Sequence, residues 1–263
     1  MTLLHLPRLL RADFRRMLFS RWFHLAMGFM LLSTLGFISM QYSGMDYVVA
    51  LDRVIFLPIS FYGVATAALC SLFAGEDFSG GFIRCKLIAG RSRSAVYLSN
   101  VIVCTAASVL AYLFMLCLTL GIGVHLFENN IAPGQLLQCA VLGLFACMAQ
   151  AVIFTSLTML LQSKATSAAV CMGLAFGMLF LALHTNQIVI QEPIKNDLPN
   201  PAYVTGWRRM FWFFLHDLNP VGQAAQLSDM TVLSPVRWVV CDLIWLAVFL
   251  PGGMKLFERS DIR

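Results

Sequence analysis

The sequence predicts an all-α polytopic membrane protein with six transmembrane helices. Three observations carry that prediction. The 263-residue chain is 59% hydrophobic and 12% charged, where a soluble domain is nearer a quarter charged. Its mean hydropathy is +0.79. It holds six apolar runs of roughly the 20 residues that cross a bilayer as a helix. The runs fall at residues 22–40, 54–74, 98–122, 136–160, 166–186 and 236–257.

Residues 3–21, LLHLPRLLRADFRRMLFSR, precede the first run. Leu6, Leu10, Phe14 and Met17 share one helical face and Arg8, Arg11 and Arg15 another. Such a helix lies in the membrane plane, with its apolar side in acyl chains and its arginines at phosphates. Pro7 suits a first helical turn. The alternative is a ragged start to span one. With those arginines ahead of it and no small-residue cleavage site behind, the first run reads as a span and not a cleavable signal.

Orientation follows from basic residues near span ends. Thirteen of the eighteen lie on one side, in the N-terminal segment, after span two, after span four and at the C-terminus. Arg53, Lys195, Arg208, Arg209 and Arg237 lie on the other. Both termini are therefore expected in the cytosol. This distribution accounts for the net charge of +5 without a nucleic-acid partner.

Span two carries small residues at every fourth position, Gly63, Ala67, Ser71 and Gly75, and span five carries Ala165, Ala169, Gly173 and Gly177. Such stripes allow close helix approach in lipid. They serve either packing within the bundle or a subunit interface. Between spans five and six, residues 187–235 face outward. Pro193, Pro199 and Pro201 mark the first half as loop. The second half gathers Trp207, Phe211, Trp212, Phe213 and Phe214 beside Arg208 and Arg209 and stops at Asn219-Pro220. Aromatic and basic residues together belong at the headgroup level, so one or more short interfacial or re-entrant helices are expected. Trp207, Phe211, Trp212 and Phe214 are candidates for an outer gate; the alternative is a headgroup anchor.

Most enzymatic chemistry is absent from the pattern. No G-x-x-x-x-G-K-[ST] occurs, so nucleotide hydrolysis is not expected in this chain. No H-E-x-x-H and no G-x-S-x-G occur. The five histidines share no metal-ligand spacing. The eight cysteines contain no C-x-x-C, and seven lie in or beside spans as small buried hydrophobes. No catalytic residue and no metal site is expected. Asp242 is the main ionisable residue within the spans, and their scarcity argues against an ion-coupled carrier.

The most informative stretch joins spans two and three: GEDFSGGFIRCKLIAGRSRSAVYLSN, residues 75–100. It reads as a short helix with stops on both sides. Asp77 and Ser79 are placed to cap its start. Phe82, Ile83 and Leu87 offer an apolar ridge flanked by Arg84, Lys86, Arg91 and Arg93. Gly90 is placed to end the helix left-handed, and Ser92 or Ser94 to cap span three. A plain connector needs neither an apolar ridge nor two helix stops, so a docking role is expected.

This stretch resembles the cytosolic segment between spans two and three of ABC-2 type permeases, closest to the small permeases of peptide-export, lantibiotic-immunity and bacitracin-resistance systems. Asp77, Gly81, Ile83, Arg84, Lys86, Leu87, Gly90, Arg91, Ser92, Arg93, Tyr97, Leu98, Ser99 and Asn100 match the family pattern. Phe82 replaces the usual Thr and Cys85 the usual Asn. NPVGQA at 219–224 and the closing FERSDIR also fit, so the likeness extends loosely over residues 1–263 as one transmembrane domain. It implies a coupling helix within 75–97 that seats on a separate ATP-binding cassette subunit, with Glu76, Asp77, Gly81, Phe82, Ile83, Arg84, Lys86, Leu87, Arg91 and Arg93 at or near the contact. It implies an N-terminal elbow helix, a second permease copy, identical or paralogous, and ATP with magnesium in the partner and no cofactor in this chain. The setting implied is a bacterial cytoplasmic membrane, and the cargo an exported peptide, lipid or drug. The competing expectation is a non-transporting scaffold, or an immunity protein that sequesters a peptide or lipid.

Overall fold

A computed structural model describes residues 6–43, 50–128, 131–191, 193–195, 198–200, 203–228, 230, 232 and 234–260. Residues 3–5, Pro201 and residues 261–263, on which some of the expectations above fall, lie outside that set. Among the described residues six helices are long and apolar enough to cross a membrane, as an all-α polytopic membrane protein requires. They are α2 (Arg21–Ser43), α3 (Tyr62–Ser79), α5 (Arg93–Leu126), α6 (Pro133–Leu161), α7 (Lys164–Val189) and α10 (Pro235–Arg259). The shorter helices are α1 (Leu6–Leu18), α4 (Phe82–Ile88), α8 (Gly206–Leu218) and α9 (Pro220–Ser228). Residues 194–195 and 198–199 pair as a two-residue antiparallel hairpin.

Each long helix overruns its apolar core, because polar end residues continue the backbone ladder. Span two is the exception. Its first third is two 3-10 turns, Leu51–Arg53 and Leu57–Phe61, and the α-helix begins at Tyr62. Pro58 lies in the second turn, where its missing N–H is tolerated at a helix start.

Span two is also the most buried of the six. It is wrapped by α2, α5, α6 and α7, with α10 packed on α6. Tyrosines tie the bundle together. Tyr62 donates to the Ser108 carbonyl at 2.5 Å and Tyr112 to the Ala140 carbonyl at 3.1 Å. Tyr97 lies 2.7 Å from Ser156 Oγ and donates to the Phe249 carbonyl at 2.8 Å. In a low-dielectric interior each tyrosine hydroxyl needs such a partner. Gly143 and Gly253 make the room: a Cβ on either would overlap the Tyr112 or Tyr97 hydroxyl.

The two small-residue stripes have opposite fates. Gly63, Ala67, Ser71 and Gly75 are buried; a Cβ at Gly75 would meet Lys164 of α7 and one at Gly63 would meet Val221 of α9. This stripe serves packing within the chain. Ala165, Ala169, Gly173 and Gly177 face away from the bundle, with nothing among the described residues near a Cβ at Gly173 or Gly177. α7 uses Ser167, Cys171 and Ala175 inward instead.

Candidate functional site

The stretch at 75–100 forms one end of the bundle with α1 and the last turn of α10. α3 runs on to Ser79, so Asp77 belongs to its last turn and does not cap α4. The cap position is Gly81, at φ 71°, a left-handed conformation that glycine adopts without strain. Gly90, at φ 79°, follows α4 as anticipated. Of the two serines, Ser92 caps α5, accepting from Ala95 N at 3.2 Å.

Asp77 is fully buried and ion-paired. It accepts from Arg16 of α1 and, at 3.2 Å, from Lys86 of α4. Lys86 also lies 2.8 Å from Asp13 of α1, whose other oxygen accepts from Ser99 of α5 at 2.7 Å. Two acids and two bases thus join α1, α3, α4 and α5. Buried charges require this degree of pairing and hydrogen bonding. Burial opposes the charge on Arg16, but the hydrogen bond and field of Asp77, with Asp13 behind it, outweigh it and raise the guanidinium pKa. The same guanidinium lies over Phe73 and Phe82, 4.6 and 5.2 Å from the ring centroids. Glu76 forms a looser outer set with Arg21 at 3.3 Å, Lys164 at 3.7 Å and the Trp22 indole at 3.1 Å. Arg93 donates to the Glu258 carbonyl at 3.2 Å and to that of Ser260, fastening the end of α10.

The expected ridge is rotated. Ile83 is 1% exposed and Leu87 packs on the same cluster of Ala74, Val96, Tyr97 and Phe257. These two residues glue α4 to the bundle. The outward face is Phe82, Arg84, Cys85 and Ile88, with Ile88 86% exposed. The face of α1 is close to the expected one: Met17 is buried, Leu10 and Phe14 pack against the same cluster, and Leu9 and Asp13 are buried beside them. Asp13 escaped the sequence reading. An acid at the centre of the i, i+4, i+8 stripe Leu9, Asp13, Met17 was the available signal.

At the opposite end, α8 and α9 pack beside the start of α10. Asn219 caps α9 by accepting from Val221 N at 3.1 Å while donating to the Met178 carbonyl at 2.7 Å. Gln150 donates to the Pro220 carbonyl at 2.7 Å, and Gln223 to that of Asp217 at 2.9 Å. The NPVGQA stretch is therefore a buried joint between α6, α7 and α8. Trp207, Phe211 and Phe214 come together along a groove against α10, whereas Trp212 turns to α7, edge-on to His184 at 5.6 Å. Asp217 lies buried 2.6 Å from Arg237. Asp242, expected near the outer end of span six, is 1% exposed, and neither carboxyl oxygen has a hydrogen-bond partner among the described residues.

All eight cysteines are free thiols, with Cys85 and Cys117 exposed. Among the described residues no group of His, Cys, Asp and Glu could hold a metal ion. No family model matches the chain, and no curated protein matches it. What the fold defines is a class: a helical membrane protein with six candidate spans.

Proposed function

We propose that the chain is the permease subunit of an ATP-binding cassette transporter of the ABC-2 type. It moves an amphipathic peptide, lipid or drug-like molecule outward across a bacterial cytoplasmic membrane, and a separate subunit hydrolyses ATP. The observation that carries this reading is α4 itself. A seven-residue helix with no role in spanning is pinned by Lys86 to Asp13 and Asp77, yet presents Phe82, Arg84 and Ile88 outward. A held helix with an unpaired apolar and cationic face is what a docking contact needs, since prior ordering lowers the cost of association. The few charges in the spans favour an amphipathic cargo. The open stripe on α7 suits a second permease copy.

The test is purification of the tagged chain from its native membrane, with mass spectrometry of what accompanies it. An ATP-binding cassette subunit at near-equal amount is expected. Ile88→Asp should remove that subunit without disturbing the monomer, because an unpaired charge on an apolar contact costs about 1–3 kcal/mol. Leu87→Asp is the wrong probe, since Leu87 packs inward. A well-folded chain that never retains an ATPase would favour the scaffold or immunity reading.

A further inference from the structure

We propose that the groove between α8 and α10 is a binding site for one anionic phospholipid of the surrounding membrane, with its phosphate beside Arg209 and Arg237 and an acyl chain along the apolar floor. Two adjoining cavities make the site. The larger, about 630 Å³, is walled by Trp207, Met210, Phe211 and Phe214 of α8 and by Val236, Val240 and Ile244 of α10. The smaller, about 330 Å³, is lined by Arg209, Phe213 and Arg237. Met210 and Arg237 line both, so the two lie side by side.

Helical spacing produces the apolar part. Positions 207, 210, 211 and 214 form one stripe on α8, and positions 236, 240 and 244 form one on α10. Every one of these side chains is exposed, Trp207 at 75% and Val236 at 76%. The α10 stripe runs about 12 Å inward from the start of a membrane-crossing helix. An occupant must therefore carry its charge at the end of the span and its hydrocarbon below.

The polar part selects for an anion. Arg209 and Arg237 line the two cavities with one acid, Asp217, which Arg237 already engages at 2.6 Å. Arg209 is held between the Tyr203 and Phe213 rings at 4.3 and 5.2 Å. The stacked guanidinium lines the smaller cavity, and a phosphate is the anion that its planar fork of donors suits. Net positive charge favours phosphatidylglycerol over zwitterionic phosphatidylcholine. The site requires no transport, so it stands or falls apart from the permease reading.

The test places the intact chain in phosphatidylcholine nanodiscs with trace phosphatidylglycerol bearing a photoreactive acyl chain. Crosslinks should concentrate on residues 207–214 and 236–244, and unlabelled phosphatidylglycerol should compete where added phosphatidylcholine does not. Arg209→Gln should lower labelling there about tenfold, the worth of one charge-assisted hydrogen bond. Arg8→Gln, the same charge change at the other end of the bundle, should not. Labelling spread evenly over the exposed faces of α2, α7 and α10, equal competition by phosphatidylcholine, or labelling indifferent to Arg209→Gln would overturn the site. A chain-to-chain product through α8 would also overturn it and assign the groove to a second copy. Should Arg209→Gln fail to fold, the competition with the unaltered chain decides alone.

Discussion

Lys86 and Asp13 meet at 2.8 Å although one lies on α4 and the other on α1. Their side chains are 13% and 4% exposed. With Asp77 on the second side of Lys86, this pair makes the position of α4 depend on α1. Removing one member of a buried pair leaves an uncompensated charge, which costs about 3–5 kcal/mol. Lys86→Met should therefore lower the thermal unfolding midpoint of the purified chain markedly, and Asp13→Asn nearly as much. The double variant should lose much less than the two losses combined. Additive losses would show that the two residues do not act together.

The two buried acids near the start of α10 should behave oppositely. Asp217 has the Arg237 cation to lose; Asp242 has only the neutral amide of Gln223 beside it among the described residues. Asp217→Asn should destabilise by about 2 kcal/mol, as expected when a charge-assisted contact of a buried carboxylate is weakened. Asp242→Asn should be close to neutral. Unfolding of both variants in one detergent settles the comparison, and a larger loss at Asp242 would contradict it.

Glycines on two faces give a third contrast. Gly143→Ala puts a methyl into the Tyr112 hydroxyl, and overpacking of that kind costs about 1–3 kcal/mol. Gly173→Ala meets nothing among the described residues and gains helix propensity of up to about 1 kcal/mol. The first should weaken the monomer and the second should not. If α7 meets a second copy, Gly173→Leu should shift the size distribution of the purified protein to monomer while leaving its unfolding midpoint unchanged.

Topology can be read from thiols. Cys85 and Cys117 are the exposed cysteines, and Cys117 lies within a span. A membrane-impermeant maleimide should leave Cys85 unlabelled in intact cells and label it once the inner face is opened. Gln191→Cys should react from outside. The reverse pattern would invert the proposed orientation.

The spans were legible because hydropathy over 20 residues is a strong signal that neighbouring helices cannot alter. The stops around α4 were legible for a local reason: Gly90 and Ser92 act through their own backbone and nearest neighbours. Which face of α4 turned inward was not. Ile83 and Leu87 are apolar in either orientation, and the choice depended on partners far along the chain, Val96 and Phe257 among them. Asp77 looked like a cap because its local sequence suits one. Its real partners, Arg16 and Lys86, come from two other helices, and no local rule weighs them. Span two opens with two 3-10 turns, the second with Pro58 at its start, where the hydropathy window showed one continuous run.

The unbroken length of α5 carries a mechanical consequence. Its 34 residues extend about 51 Å. At one end Arg93 and Ser99 tie it to α10 and α1; at the other it ends at Leu126, and the Glu128 carbonyl just beyond accepts at 2.9 Å from the N–H of Leu51, which opens the first 3-10 turn. A rod of that length works as a lever. A tilt of about 5° at the tied end carries the far end through about 4 Å, enough to part side chains in contact. The far end abuts two short 3-10 segments, in and between which Leu51, Val54, Ile55 and Ile59 are buried, and the near end is braced by paired charges. A tilt at the tied end would thus be magnified along α5 and felt at the packed 3-10 turns, and stiffness, not any reacting group, would be what α5 contributes.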